Sequence, residues 1–319
     1  MKTIKIYLVI FLGVVLFPLQ NVLSNSDLDA ESLIKASIRN WQDPNRDSSK
    51  YFEITDEKFR NANPQKLLAL LSDYSSDKSY SVRQLALLYT VRIANIHPTV
   101  DIRQEVAQRL VRDLVDPNSN TSSRSYEWLL SFTKDDFNES SKDLLHKALA
   151  ENMPDSRVMK ICGVADMKDE LPRLKELITI SEIKYNNEDP IMRKIIPWYQ
   201  RKGWAARLAR ARMGVKEDII RCIDLAESEA DVNVRVQRIL PGIGYMRQPE
   251  AIEYLKKYLE SDGRIPFPGQ SYASRAVHIL AVSLSNFPIK QKETRSYTDE
   301  EISVSRKWMS EQKEWQIIK

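Results

Sequence analysis

The chain has 319 residues, of which 42% are hydrophobic and 29% are charged, and it contains only 8 glycines. So few glycines and so many charged residues exclude a turn-rich β-sandwich and favour helices. Removal of Lys2 and Lys5, which lie in a predicted leader, reduces the 48 lysines and arginines to 46, against 44 acidic residues. The near balance implies no general electrostatic attraction to nucleic acid or to an anionic membrane.

Residues 1–24 have the layout of a secretory signal peptide. Lys2 and Lys5 precede an apolar run at residues 6–19, and Val22 and Ser24 supply small side chains before a cut after Ser24. The alternative is a retained anchor, although the run is shorter than the ~20 residues that span a bilayer. We expect cleavage and export, to the periplasm or the cell exterior.

Residues 25–80 are predicted to form an N-terminal helical cap. One helix is expected at about residues 28–41, followed by a polar loop over residues 42–55. A second helix is expected to begin at Asn63-Pro64, because asparagine accepts a bond from a free amide and proline fits the first turn. From residue 81 onward, apolar residues recur at helical spacing in a series of helix pairs.

An acidic residue opens the second predicted helix of each pair. A carboxylate is stabilising there because the free amides of the first turn carry partial positive charge. Successive acids are separated by 34, 31, 47 and 33 residues, within or near the length of two-helix repeats. The five acids are Glu105, Glu139, Glu170, Glu217 and Glu250.

Three stretches resemble HEAT repeats. The first contains Asp155-Ser-Arg-Val-Met-Lys160, and the second contains Trp204-Ala-Ala-Arg-Leu-Ala-Arg-Ala-Arg-Met-Gly214. The third combines Asp231-Val-Asn-Val-Arg235 with Pro249-Glu-Ala-Ile-Glu-Tyr-Leu255. The resemblance covers about residues 81–286. It implies an all-α, armadillo-like fold, a right-handed α-α superhelix of five to six helix pairs, but it implies no common ligand or chemistry.

The repeat array is assigned to residues 81–287, with one insertion and a C-terminal extension. The insertion at residues 181–203 produces the 47-residue gap and is predicted to add a short helix after Asp189-Pro190. Pro241 predicts a kink in the third matching stretch. Residues 288–319 are predicted to be a linker and a capping helix, which begins at the capping box Thr298-Asp-Glu-Glu301 and ends near residue 313.

The sequence offers no motif for catalysis, a metal or a cofactor. It contains no CxxC pair, HExxH, calcium loop, G-x-S-x-G or phosphate loop, and the three histidines share no ligand spacing. We therefore assign no catalytic residue, metal ligand or cofactor. Cys162 and Cys222 lie among apolar neighbours and are predicted to be buried and unlinked.

One segment stands out as a candidate binding site. Residues 190–216 contain eight basic residues and no acidic one, with three aromatic residues interleaved. A cationic, aromatic strip suits an anionic ligand, a polysaccharide or an acidic protein segment. In the alternative interpretation, the segment is a solvated helix face whose arginines pair with neighbouring repeats, helped by Glu188, Asp189, Glu217 and Asp218. The candidate binding residues are Arg193, Lys194, Trp198, Arg201, Lys202, Arg207 and Arg210.

The leading hypothesis is an exported, non-catalytic scaffold whose HEAT-like surface binds a protein or a cell-envelope component. The rival is an enzyme similar to the HEAT-like alkylpurine DNA glycosylases, which use basic and aromatic side chains against DNA. Export argues against the rival, and so do the mixed charges of the second helices, such as Arg109 and Arg112 beside Asp113. We expect no nucleic-acid partner, while peripheral membrane association and the oligomeric state stay open.

Overall fold

The structure is a computed structural model that describes residues 29–43, 54–265, 270–292, 294–312 and 314–318. These residues form helices and two isolated β-bridges, without a β-strand among them, so the predicted all-α fold is confirmed. Within the same residues no helix is both long enough and apolar enough to cross a membrane. The predicted signal peptide at residues 1–24 lies outside them.

The chain divides into two compact units, of which unit 1 is residues 1–102. Its last helix packs against the three helices before it, around a core that includes Leu33, Phe59 and Leu68. The cap predicted at Asn63 is present, because its side chain accepts a hydrogen bond from the Lys66 amide at 3.0 Å. The helices of unit 1 are α1 (Ala30–Gln42), α2 (Asp56–Asn61), α3 (Pro64–Ser72) and α4 (Tyr80–Ile96).

Unit 2 is residues 103–319 and contains most of α5 together with all later helices. The helix near Pro241 is irregular: the short helix Val232–Val234 continues through a π-helical turn (Arg235–Ile239) into the helix Leu240–Met246. The wider turn accommodates the proline, which has no amide to donate to the preceding turn. The helices are α5 (Val100–Val115), α6 (Ser122–Leu129), α7 (Glu139–Leu149), α8 (Ser156–Val164), α9 (Leu171–Asn187), α10 (Pro190–Ile195), α11 (Lys202–Arg212), α12 (Lys216–Ser228), α13 (Val232–Val234), α14 (Leu240–Met246), α15 (Pro249–Leu259), α16 (Tyr272–Ser283) and α17 (Asp299–Glu311).

The helices of unit 2 contact one another in a repeating order. Helix α8 packs against α11, α11 against α14, and α14 against α16, while α12 packs against α15 and α15 against α17. A helix therefore contacts the equivalent helix of the next pair, as in stacked two-helix repeats. The C-terminal capping box is present, since Glu301 accepts from the Thr298 amide and Thr298 accepts from the Glu301 amide.

Four of the five predicted acids lie at helix starts. Glu139 is the first residue of α7, Glu217 and Glu250 are the second residues of α12 and α15, and Glu170 immediately precedes α9. The prediction for Glu105 is wrong, because α5 already begins at Val100, directly after the break at Pro98 and Thr99. Glu105 therefore lies one turn inside the helix, where its carboxylate is 2.6 Å from the Arg109 guanidinium.

A close approach of two helices places α11, which carries part of the candidate site. A Cβ atom on Gly163 of α8 would lie only 2.9 Å from the Cα atom of Ala209 in α11, so a larger residue would force the helices apart. Cys162 of α8 and Cys222 of α12 are free and buried, which confirms that prediction. Burial raises the pKa of both thiols, so they are expected to be poorly reactive in the folded protein.

Candidate functional site

The insertion at residues 181–203 begins in the last turns of α9 and ends at the start of α11. Between them lie α10 and a 3₁₀ turn (Trp198–Gln200). The short helix after Asp189-Pro190 is present, as the sequence predicts. Its start is capped by the Asp189 carboxylate, which accepts a hydrogen bond from the Ile191 amide at 2.7 Å.

Arg201 ties the end of α10 to the end of α9. Its Nη2 atom lies 2.7 Å from the Glu188 carboxylate and 2.7 Å from the Ile196 carbonyl oxygen. Its guanidinium also lies 4.4 Å from the centre of the Tyr185 ring. The ion pair with Arg201 lowers the pKa of Glu188, and Arg193 donates to the Glu188 carbonyl at 3.1 Å. Both arginines therefore hold the insertion in place.

The junction between the insertion and α11 is fixed by two further contacts. The Lys202 ammonium donates to the Met153 carbonyl oxygen at 2.7 Å, and the Gly203 amide donates to Ser181 Oγ at 3.1 Å. A Cβ atom on Gly203 would lie 2.7 Å from the Ser181 side chain, so glycine permits this approach of α11 to α9. Lys202, a candidate binding residue, thus has a structural contact.

Arg207 and Arg210 are buried and share one carboxylate. Asp218, which is 2% exposed, accepts from Arg207 at 2.9 Å and from Arg210 at 2.6 Å. Arg207 also donates to Glu182 at 2.5 Å, and Arg210 donates to the Leu171 carbonyl oxygen at 2.7 Å. These two guanidinium groups connect α9, α11 and α12, and their charges are directed into the protein.

The aromatic residues of the insertion form a small cluster at the edge of the main core. The Trp198 ring meets Trp204 edge-on at 4.9 Å and Tyr199 edge-on at 5.5 Å between ring centres. Trp204 is buried in the core, and Trp198 packs partly buried against it. Trp198 therefore anchors the 3₁₀ turn to α11.

The structure thus divides the predicted binding residues into groups instead of one strip. Arg207 and Arg210 meet on Asp218, and Arg193 and Arg201 meet around Glu188. Lys202 and Trp198 contact other parts of unit 2. Lys194 alone of the seven is exposed without an ion pair to any described residue. The observed pairs with Glu188 and Asp218 match the pairing in the alternative interpretation, but Arg207 and Arg210 are buried and do not form its solvated face. A binding role for the strip stays a prediction.

A different feature of the insertion, which sequence reasoning missed, is an exposed apolar surface. Helix α10 buries none of its residues. Four large side chains in and next to it, here called the apolar ridge, are exposed: Ile191 (68%), Met192 (44%), Ile195 (62%) and Ile196 (42%). Their spacing is that of one helical stripe. That stripe was visible in the sequence, inside the one segment that interrupts the repeat.

The described residues offer no support for a metal-ion site. They contain no cluster of three or more histidine, cysteine or acidic side chains that could hold a metal ion.

No family model matches the chain, and a search of curated proteins also gave no match. The resemblance to HEAT repeats therefore stays a prediction, with which the order of helix contacts within unit 2 is compatible.

Proposed function

We propose that the protein is an exported, non-catalytic scaffold of HEAT-like repeats that holds a protein or cell-envelope partner at its insertion. The observation that carries this proposal is the apolar ridge, four large exposed side chains on a helix that buries none of its own. Exposed apolar patches of this kind mark interaction sites. Insertions in repeat arrays often lie on the binding face.

The basic residues support the proposal by ordering the insertion, and not by binding a ligand directly as the sequence predicts. Arg193 and Arg201 fix α10 against α9, while Lys202 fixes the following junction. A surface that is already ordered loses less conformational entropy when it binds. Full burial of an isoleucine or methionine side chain contributes roughly 1.5–3 kcal/mol, so the ridge is the stronger source of affinity. In this proposal, the two arginines and Lys202 hold α10 in place, and the apolar side chains of the ridge bind the partner.

The rival function, a DNA glycosylase with HEAT-like repeats, gains no support from the site. Its best candidates for phosphate contacts in α11 are Arg207 and Arg210, and both are directed at the buried carboxylate of Asp218. Guanidinium groups held in this way are not available to neutralise phosphates. The export signal at residues 1–24 remains part of the proposal, as does the superhelical arrangement of the repeats.

Photo-crosslinking in the producing cell tests the proposed function. A photoreactive amino acid is introduced in place of Ile195 in the ridge or, as a matched control, in place of Ile220. Ile220 is 59% exposed on α12 of the same unit. We expect a discrete adduct from position 195, identified by mass spectrometry, and much less from position 220. No adduct at position 195, or equal labelling at both positions, would contradict the proposal.

A further inference from the structure

We propose that the apolar ridge binds the surface of an anionic lipid bilayer. This inference rests on the proposed function, since it names the partner of the same site. The occupant is inferred from three features of the insertion: its exposed apolar side chains, the sign of the charges beside them, and the hydrogen bonds made by one backbone group at each end of α10.

Two further large apolar side chains are exposed in the helix before the ridge. Ile180 and Ile183, on the preceding turns of α9, are exposed as well. Leu174 is buried and Ser181 binds the Gly203 amide, so both lie on the side of α9 that faces α11. Ile183 lies half a helical turn from them and therefore points away from α11. Six large apolar side chains are therefore exposed within 17 residues, five of them in the insertion and Ile180 directly before it. Such side chains enter the boundary between headgroups and acyl chains when a protein lies on a membrane.

The accessible charge beside the ridge is positive. Lys184 and Lys194 are exposed and form no ion pair with any residue that the structure describes. The nearby acids Glu182 and Glu188 are paired with Arg207 and Arg201. The exposed Asp189 carboxylate caps α10 and keeps its charge, so the two lysines outnumber it. Unpaired lysines next to an apolar surface complement anionic lipid headgroups.

One backbone group at each end of α10 has a hydrogen-bond partner within the insertion. At its start, the Ile191 amide donates to the Asp189 carboxylate. At its other end, the Ile196 carbonyl oxygen accepts two bonds from Arg201, at 2.7 and 3.0 Å. Backbone groups without partners are costly to move out of water. Because these terminal groups have partners within the insertion, the ridge can enter the interface without leaving them unsatisfied.

A fluorescent label at the ridge tests this inference in the full chain. An environment-sensitive dye is attached to the Ile195→Cys variant or to the Ile220→Cys control. The native Cys162 and Cys222 are buried and should not react in the folded protein. Vesicles of phosphatidylcholine are compared with vesicles that also contain phosphatidylglycerol. The readout is local, so attachment through the N-terminal apolar run alone would not produce it.

We expect the emission at position 195 to shift to the blue with anionic vesicles, and to be quenched by brominated acyl chains, while the label at position 220 stays unchanged. The response should weaken as salt shortens the screening length from ~10 Å at 0.1 M to ~3 Å at 1 M. Adding Lys184→Gln and Lys194→Gln should weaken binding by about fivefold for each lysine, or roughly 30-fold together.

A label at position 195 that stays in water with anionic vesicles would overturn the lipid inference. So would a response that the two lysine substitutions leave unchanged. If the label does not respond but position 195 crosslinks to a protein in the cell, the lipid inference fails and the scaffold proposal stands. If neither experiment gives a signal, both proposals fail.

Discussion

Replacement of Asp218 by asparagine is expected to lower the free energy of unfolding of unit 2 by about 3–5 kcal/mol. The Asp218 carboxylate is buried and accepts from both Arg207 and Arg210, at 2.9 and 2.6 Å. Asparagine is nearly the same size but carries no charge, so both guanidinium groups would remain buried without their shared counter-ion. Breaking such a buried pair costs far more than breaking a pair at the surface.

The matched control is Glu217→Gln, one residue earlier on α12 and exposed. A substitution at such a position usually changes stability by no more than about 0.5 kcal/mol. Urea denaturation followed by circular dichroism measures both variants against the wild type. Equal losses for Asp218→Asn and Glu217→Gln would show that the buried pair does not hold α11 and α12 together.

Replacement of Trp204 by alanine is expected to cost about 3–5 kcal/mol as well, because it leaves a large cavity in a packed core. Trp204 is 6% exposed, and its indole lies 3.4 Å from where a Cβ atom of Gly242 would stand. The same ring holds Trp198 edge-on at 4.9 Å. The substitution should therefore loosen the insertion as well as weaken the core.

Two readouts separate these effects of Trp204→Ala. Thermal unfolding reports the loss of core packing, and amide hydrogen exchange over residues 191–196 reports the opening of α10. Ile220→Ala, at an exposed position of α12, is the control and should change neither readout. An unchanged exchange rate in Trp204→Ala would mean that α10 is held by its polar contacts alone.

Features set by neighbouring residues could be predicted from the sequence. The caps at Asn63 and Thr298 and the short helix after Asp189 depend on side chains within three or four positions of the groups they bind, and the structure has all three. Helix α2 was missed, because it is six residues long and buries only Phe59. The prediction for Glu105 was wrong because the distance between successive acids does not distinguish an acid at a helix start from one a turn inside the helix.

The candidate site was harder to predict, because its charges pair across the fold. The segment of eight cations contains no acid, yet Arg207 meets Glu182, which lies 25 residues earlier. Arg210 meets Asp218 in the next helix. Both acids lie outside the basic segment, so local charge counting predicts an open strip where the fold makes internal ion pairs. For the ridge, the error has the opposite sign. A helical stripe such as Ile191 and Ile195 predicts a buried core face from sequence, but in the structure these side chains are exposed.

Binding of the cell-envelope fraction by the Ile191→Asn/Ile195→Asn variant tests most directly whether the apolar ridge is the binding surface. Both side chains are exposed, so the double variant should keep the wild-type unfolding midpoint. We predict that it no longer sediments with envelopes from the producing cell, whereas an Ile220→Asn control sediments as the wild type does. A folded double variant that sediments like the wild type would contradict binding through the ridge.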